Sequence, residues 1–289
     1  MTVAVNGAVG FIGLGNIGAP IAKRLLDRPE GLVVYDVRAE VCTPFAESGA
    51  AVTSSAADLA AQCDVISVMV LDDAQVREVV TAMLPSCRPE AVLAVHSTIA
   101  EETAVEVAAQ AREHGVHVVD APVSGGAMGA ADGTLAVMVG GARSAYEKCK
   151  DVFASWASLV LYMGDVGAGT RTKIARNLLT FVGYAAAAES QRIAEAAGVD
   201  LRKLSAVVRQ SDTVTGGTSA IMFRETTAPL AADDPLRDIL GHTYTLGAKD
   251  LALAIELAER LGVDAPFSRL AAERLADALW LAPEPVPRS

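Results

Sequence analysis

Aromatic residues make up only 4% of the 289-residue chain, too few for the stacking platforms that bind single-stranded nucleic acids. Lysine and arginine total 24 against 35 acids, and the formal charge of −11 argues against wholesale binding to nucleic acid or anionic membranes. No uninterrupted apolar run reaches membrane-spanning length, and the first basic residue is Lys23, so neither a membrane span nor a secretory signal is expected. The four cysteines, Cys42, Cys63, Cys87 and Cys149, form no CxxC pair, and four histidines supply no cluster. Scattered thiols in a reducing cytoplasm and no metal site are the expectation. What the chain does have is 52% hydrophobic residues, which excludes disorder and provides a core for one large domain or two smaller ones.

Two textures divide it. From Val9 to Met163, short β-rich runs alternate with helical stretches. The strands are expected at Val9–Leu14, Leu32–Asp36, Asp64–Val70, Val92–His96, Val116–Asp120, Leu135–Val139 and Leu159–Met163. The helices between them are expected at Ala19–Asp27, Ala74–Met83, Glu101–Glu113 and Ser144–Ala154, and Ser55–Asp58 has capping-box spacing. Strands apolar on both faces and separated by helices predict an α/β, Rossmann-type doubly wound parallel sheet. After Gly164 no strand is convincing. Residues 167–198 read as one long helix, followed by Leu201–Gln210, Leu246–Leu261 and Pro266–Leu279, with loops at Asp212–Gly217 and Thr226–Arg237 and a frayed tail at Pro283–Pro287. The expected division is a doubly wound α/β domain over 1–165 and an all-helical domain over 166–289.

Gly13-Leu14-Gly15-Asn16-Ile17-Gly18 is a GxGxxG loop between an apolar strand and a helix, and Asp36 ends the following strand. The first glycine permits the tight turn, the second lets backbone approach a pyrophosphate, and the third allows close helix packing. The helix N-terminus then presents amides to the phosphates. A carboxylate at Asp36 suits the adenosine ribose and repels a 2′-phosphate, so NAD is favoured. Arg38, two residues on, leaves NADP possible.

Four blocks in order resemble the β-hydroxyacid dehydrogenase family, over nearly the whole chain. Gly10–Gly18 is similar to its cofactor fingerprint, and Asp120-Ala-Pro-Val-Ser-Gly-Gly126 to its substrate segment. Gly167-Ala-Gly-Thr-Arg-Thr-Lys-Ile-Ala-Arg-Asn177 matches the GxGxxxKxxxN that carries a catalytic lysine, and Lys249-Asp250-Leu251 matches its KDL. The resemblance implies an enzyme in which Ser124, Gly125 and Gly126 hold the acid group of a small carboxylic acid substrate. It also implies that Lys173 exchanges a proton with the substrate hydroxyl and that Asn177 holds the oxygen. Residues 173 and 177 are i and i+4, on one side of the long helix, and crowding by Arg171 and Arg176 with partial burial would lower the lysine pKa.

Further cofactor contacts are implied at Val70, Leu71 and Thr98, the last against the nicotinamide, with Lys249 reaching over from the helical domain. Leu71 stands where the family often has proline. Asp120 is expected to organise its loop, and His96 to be a strand-end residue without acid–base work. A phosphogluconate dehydrogenase is disfavoured by the short chain and by Arg176-Asn177-Leu178. A silent NAD-binding protein is disfavoured because such relatives lose the lysine. Asp238–Leu246, before KDL, reads as a loop that departs from the family, so the substrate stays open between hydroxyisobutyrate, the tartronate, glyoxylate or succinate semialdehydes, and a bulkier hydroxy acid. A homodimer or homotetramer is implied.

Overall fold

The computed structural model describes residues 7–281; the tail Pro283–Pro287 lies outside the described residues. The chain divides into two compact units, Met1–Asn177 and Leu178–Ser289.

The first unit runs β1 (Ala8–Ile12), α1 (Gly18–Lys23), β2 (Leu32–Tyr35), α2 (Ala39–Glu47), β3 (Ala51–Val52), α3 (Ala56–Ala60), β4 (Cys63–Val68), α4 (Asp73–Met83), β5 (Val92–Val95) and α5 (Glu101–Glu113). It continues through β6 (His117–Asp120), β7 (Val123–Ser124), α6 (Gly126–Asp132), β8 (Leu135–Gly140), α7 (Arg143–Phe153) and β9 (Ala157–Gly164) into the start of α8 (Ala168–Ala196). The seven strands legible as apolar runs all form. The elements the pattern does not announce are short or carry a breaker: β3 and β7 have two residues each, and α2 contains Pro44. Ser55 does cap α3 by accepting from the Asp58 amide, but the Asp58 carboxylate takes the Ser54 hydroxyl.

The nine strands form one sheet in the order β3-β2-β1-β4-β5-β6-β8-β7, with β9 paired to β8. Pairing is parallel from β3 through β6. The sheet is not parallel throughout, because β8 runs against both β6 and β7. Val123 pairs with Val137 and Ser124 with Ala136 across α6, and this return fixes the direction of β8. Alternation along the strands sorts the core onto two faces. Val9, Phe11, Val92 and Ala94 pack on one side with Phe153 and Trp156, and Ile12, Ile66, Leu93 and Val95 on the other with Val80 and Val107. Strand order reverses between β1 and β4, so a crevice opens at their C-terminal ends, where ligands of such sheets bind.

The second unit holds the rest of α8, then α9 (Leu201–Thr215), α10 (Leu236–Leu261) and α11 (Pro266–Ala278). Two helices run further than the sequence pattern predicts. The expected loop at 212–217 is helical to Thr215, and the segment Asp238–Leu246 lies inside α10. The two share one feature. Thr213 and Thr215 donate their hydroxyls to the carbonyls of Arg209 and Ser211, and Thr243 and Thr245 to those of Ile239 and Gly241. Each threonine thus satisfies its hydroxyl within its own helix and does not break it. Glu189 of α8 accepts from the Phe267 and Ser268 amides at the start of α11. The buried core here is small: Ile193, Ala258 and Ala265 in one cluster, Leu230, Leu240 and Leu279 in another. Leu178, Phe181 and Tyr184 of α8 are 65%, 63% and 67% exposed. Among the described residues no helix is long and apolar enough to cross a membrane.

Candidate active site

A cavity of about 800 Å³ lies over the crevice between β1 and β4. Of the residues singled out in the sequence, Gly13, Gly15, Asn16, Ile17, Asp36, Val70 and Leu71 line it together. The glycine loop explains its shape. A Cβ on Gly13 would lie 2.1 Å from the Met69 carbonyl oxygen, and one on Gly18 would lie 2.0 Å from that of Gly13, whereas a Cβ on Gly15 would meet nothing within 4 Å. Two glycines are therefore needed for packing and the middle one faces open space, the division a pyrophosphate cradle requires. Leu14 is buried, and its part is played by its backbone, which donates to Asp36 Oδ2 at 2.8 Å.

Asp36 has a second set of partners that the sequence pattern did not predict. Its Oδ1 accepts from the Arg38 amide at 2.9 Å and from Arg38 Nε at 3.0 Å, and its Oδ2 accepts from Arg38 Nη2 at 3.1 Å. Burial pushes the carboxyl pKa up, but the Arg38 and Leu14 donors outweigh it and hold the group below the usual carboxylate range. Tyr35, Ser55, Gln75 and Glu78 also line the cavity. They come from α3, α4 and the end of β2, and nothing local in the sequence marks them, because only the sheet order brings those ends together. Val70 is clamped by Ser97, whose hydroxyl accepts from the Val70 amide at 3.0 Å and donates to its carbonyl at 2.7 Å. Thr98 follows and is exposed.

The segment after β6 forms the other half of the arrangement within this unit. Asp120 is fully buried, and its carboxylate accepts from the Gly167 amide at 2.7 Å and the Thr170 amide at 2.6 Å. It thereby ties the start of α8 to the strand end, favourably placed for the helix dipole. Burial is the larger influence and raises its pKa in spite of those donors. One turn further along α8, Lys173 Nζ donates to the Val123 carbonyl at 2.7 Å. The amine is thus brought to the residue preceding Ser124, which is half-buried, and the exposed Gly125 and Gly126. Desolvation and then the like charge of Arg176 lower the Lys173 pKa. Arg171, expected to add to that crowding, is paired with Glu101 instead. Asn177 is half-buried on the same helix.

His96 is buried, with Nδ1 2.7 Å from the Ala121 carbonyl and Nε2 3.0 Å from the Ser67 hydroxyl. Burial pushes its pKa down to about 4. In the second unit, Lys249 pairs with Asp250 at 2.9 Å, both exposed, and His242 and Tyr244 stand exposed on α10.

Comparison with known proteins adds to this geometry. Residues 8–164 match the profile of the NAD binding domain of 6-phosphogluconate dehydrogenase, and residues 167–281 match that described as NAD-binding of NADP-dependent 3-hydroxyisobutyrate dehydrogenase. An uncharacterized oxidoreductase of Mycobacterium tuberculosis is 56% identical over 94% of this chain and 92% of its own length. A solved Mycobacterium avium structure, assigned provisionally as an oxidoreductase, is 50% identical over 96% of this chain and 99% of that one, with a TM-score of 0.91. The 3-hydroxyisobutyrate dehydrogenase of M. tuberculosis, solved with L-serine, is 32% identical over 93% of this chain and 92% of its own, with a TM-score of 0.67. An imine reductase from Myxococcus stipitatus solved with NAD+ is 19% identical with a TM-score of 0.75 and shares the fold alone.

Proposed function

The chain belongs to the 3-hydroxyisobutyrate dehydrogenase family, and from that premise we propose that it moves a hydride reversibly between NAD and a small 3-hydroxy acid, with Lys173 as the acid–base group. The observation that carries this reading is the placement of Lys173 Nζ on the Val123 carbonyl, in the unit that also holds the glycine-loop cavity. Gly13–Ile17, Asp36, Val70, Leu71 and Thr98 would hold the dinucleotide, and Lys249 would approach from the helical unit. The bound nicotinamide supplies the hydride acceptor.

The chain's own residues do the rest. The Ser124 hydroxyl and the Gly125 and Gly126 amides anchor the carboxylate, since hydroxyl and unhindered amide donors are the natural partners of an anion. Lys173, half-buried and beside Arg176, is easier to deprotonate than an ordinary lysine and takes the hydroxyl proton as the carbinol C–H bond gives up its hydride. Asn177 holds the substrate oxygen. We place the substrate and oligomerisation domain at 166–289, so that the helix carrying Lys173 joins both parts.

NAD is the preferred cofactor in this reading. Asp36 is charged and takes two of the Arg38 guanidinium's N–H donors, which supports a ribose-binding carboxylate over a 2′-phosphate site. The exposed apolar face of α8, with Leu178, Phe181 and Tyr184, supports a homodimer or homotetramer, since monomers seldom leave such a patch open. A cytoplasmic setting fits the four free cysteines. The test is NADH or NADPH formation over 3-hydroxyisobutyrate, L-serine, glycerate and 4-hydroxybutyrate. Turnover of at least one of the first three, which are 3-hydroxy acids, with NAD in preference to NADP supports the reading, and tight NAD binding with turnover of none of those three, or of 4-hydroxybutyrate alone, overturns it.

A further inference from the structure

Four consecutive residues, from Asp120 at the end of β6 to Val123, give acceptors to three other segments: the start of α8, the end of β5 and β8. The Asp120 carboxylate holds the amides of Gly167 and Thr170, and the Ala121 carbonyl faces His96 Nδ1. The Pro122 carbonyl accepts from the Met138 amide at 3.1 Å, and the Val123 carbonyl accepts from Lys173. Four of these five donors are backbone amides or the amine of Lys173. His96 is different: it is a side chain sent from inside the sheet to fix one carbonyl.

Its own placement is over-determined. The backbone amide of His96 donates to the Val68 carbonyl at 2.8 Å. The ring lies edge-on to Phe153 and Trp156, with centroids 5.1 and 5.3 Å away. A carbonyl can only accept, so Nδ1 carries the hydrogen and donates to Ala121, and Nε2 accepts from the Ser67 hydroxyl. A ring enclosed in this way has no route to solvent or substrate and cannot serve as an acid or base. What it can do is set where the Ala121 carbonyl stands, two residues before the carbonyl that holds Lys173.

We propose that His96 is a positioning residue for the reaction, holding the turn Ala121–Gly126 in register with Lys173 through its Nδ1–H bond to the Ala121 carbonyl. This rests on the hydroxy acid dehydrogenase reading above. It predicts an unusual contrast between two amides. Asparagine puts its side-chain nitrogen where Nδ1 stands and keeps the donor to Ala121. Glutamine puts its nitrogen where Nε2 stands, toward Ser67, and leaves the Ala121 carbonyl without a partner.

The experiment compares H96N and H96Q in the full-length enzyme. It reads kcat and KM for the acid that wild type oxidises, and NADH affinity by fluorescence. The expected result is H96N within about threefold of wild type in both constants. H96Q is expected to lose about tenfold or more in kcat and to gain about tenfold in KM, as a misplaced site does, with NADH affinity unchanged. Equal behaviour of the two variants, or loss of NADH affinity in H96Q alongside loss of turnover, overturns the proposal and leaves His96 a packing residue. Amide hydrogen exchange over 121–126 decides the matter even if no acid is turned over, which would count against the proposed activity and not against His96. That segment should exchange at the wild-type rate in H96N and about tenfold faster in H96Q, and equal rates would overturn the proposal.

Discussion

The two units of this chain solve the burial problem in opposite ways. The sheet unit hides nearly every apolar side chain on β1, β2, β4, β5, β6 and β8, leaving exposed ones only at β3 and β9, and it holds several buried polar groups, of which Asp36, His96, Ser97 and Asp120 stand around the candidate site. The helical unit buries only a handful of apolar residues and leaves Leu178, Phe181, Tyr184, Val207 and Ile239 exposed. A unit that completes its own core can hold buried polar groups in fixed geometry, as cofactor and proton chemistry require. A unit that leaves apolar faces open is built to be completed by another surface, here a second copy of the chain in the reading above.

The comparison breaks most visibly at Lys173. Lys173→Ala should lower kcat by about 1,000-fold, within the range of a lost acid–base group, while NADH affinity measured by fluorescence changes less than about twofold. A loss confined to cofactor affinity would move the lysine out of the chemistry. In the wild type, oxidation should rise with pH as Lys173 deprotonates, along a limb lying below that of an ordinary lysine, because burial and Arg176 lower its pKa.

The next effect lies in the stability of the sheet unit. The His96 pKa falls from 6.5 to about 4 on folding, so the unfolded chain takes up this proton first. Its contribution is intact above pH 6.5, falls away as the pH drops toward 4, and amounts to about 3 kcal/mol there. Denaturant titrations at pH 7 and pH 4.5 should show H96N losing less stability than wild type over that interval. Equal losses would mean that His96 is not the titrating group.

In the helical unit, Phe181→Asp should raise the dimer dissociation constant by about 100-fold, since an aromatic anchor is lost and a charge is left on the interface. Analytical ultracentrifugation reads this directly. An unchanged oligomer would show that the open face of α8 serves something else. The smallest effect concerns the cofactor. Asp36→Ser frees the Arg38 guanidinium and should shift the kcat/KM ratio of NADP to NAD upward by about tenfold, the worth of one charge-assisted hydrogen bond. No shift would mean that Arg38 does not face the ribose.

The same contrast explains what the sequence could reveal. Period-2 apolar runs, the spacing Gly13-x-Gly15-x-x-Gly18 and Asp36 at a strand end are local patterns, so the sheet and its crevice were readable residue by residue. So was Lys173, because its helix carries a long motif. Contacts made only by tertiary structure were not. Arg38 closing on Asp36, Glu101 taking Arg171 away from Lys173, and His96 holding Ala121 all join residues whose nearness the sequence does not encode locally, or whose pairing has several local alternatives. The helical unit was legible as helical, and only its two loops at 212–217 and 238–246 were misplaced, for a different reason. Threonines that return their hydroxyls to the preceding turn, at 213, 215, 243 and 245, look like loop formers when only propensity is counted.

In the proposed reaction this chain passes a hydride from a 3-hydroxy acid to NAD under control of Lys173. The most direct measurement uses 3-hydroxyisobutyrate carrying deuterium on its carbinol carbon, in a single turnover with NAD, followed by mass spectrometry of the cofactor. Wild type should leave one deuterium at the nicotinamide C4, and Lys173→Ala essentially none. Cofactor that stays unlabelled with wild type, for this acid and for the other deuterated 3-hydroxy acids tried in turn, would contradict it and leave a protein that binds NAD without using it.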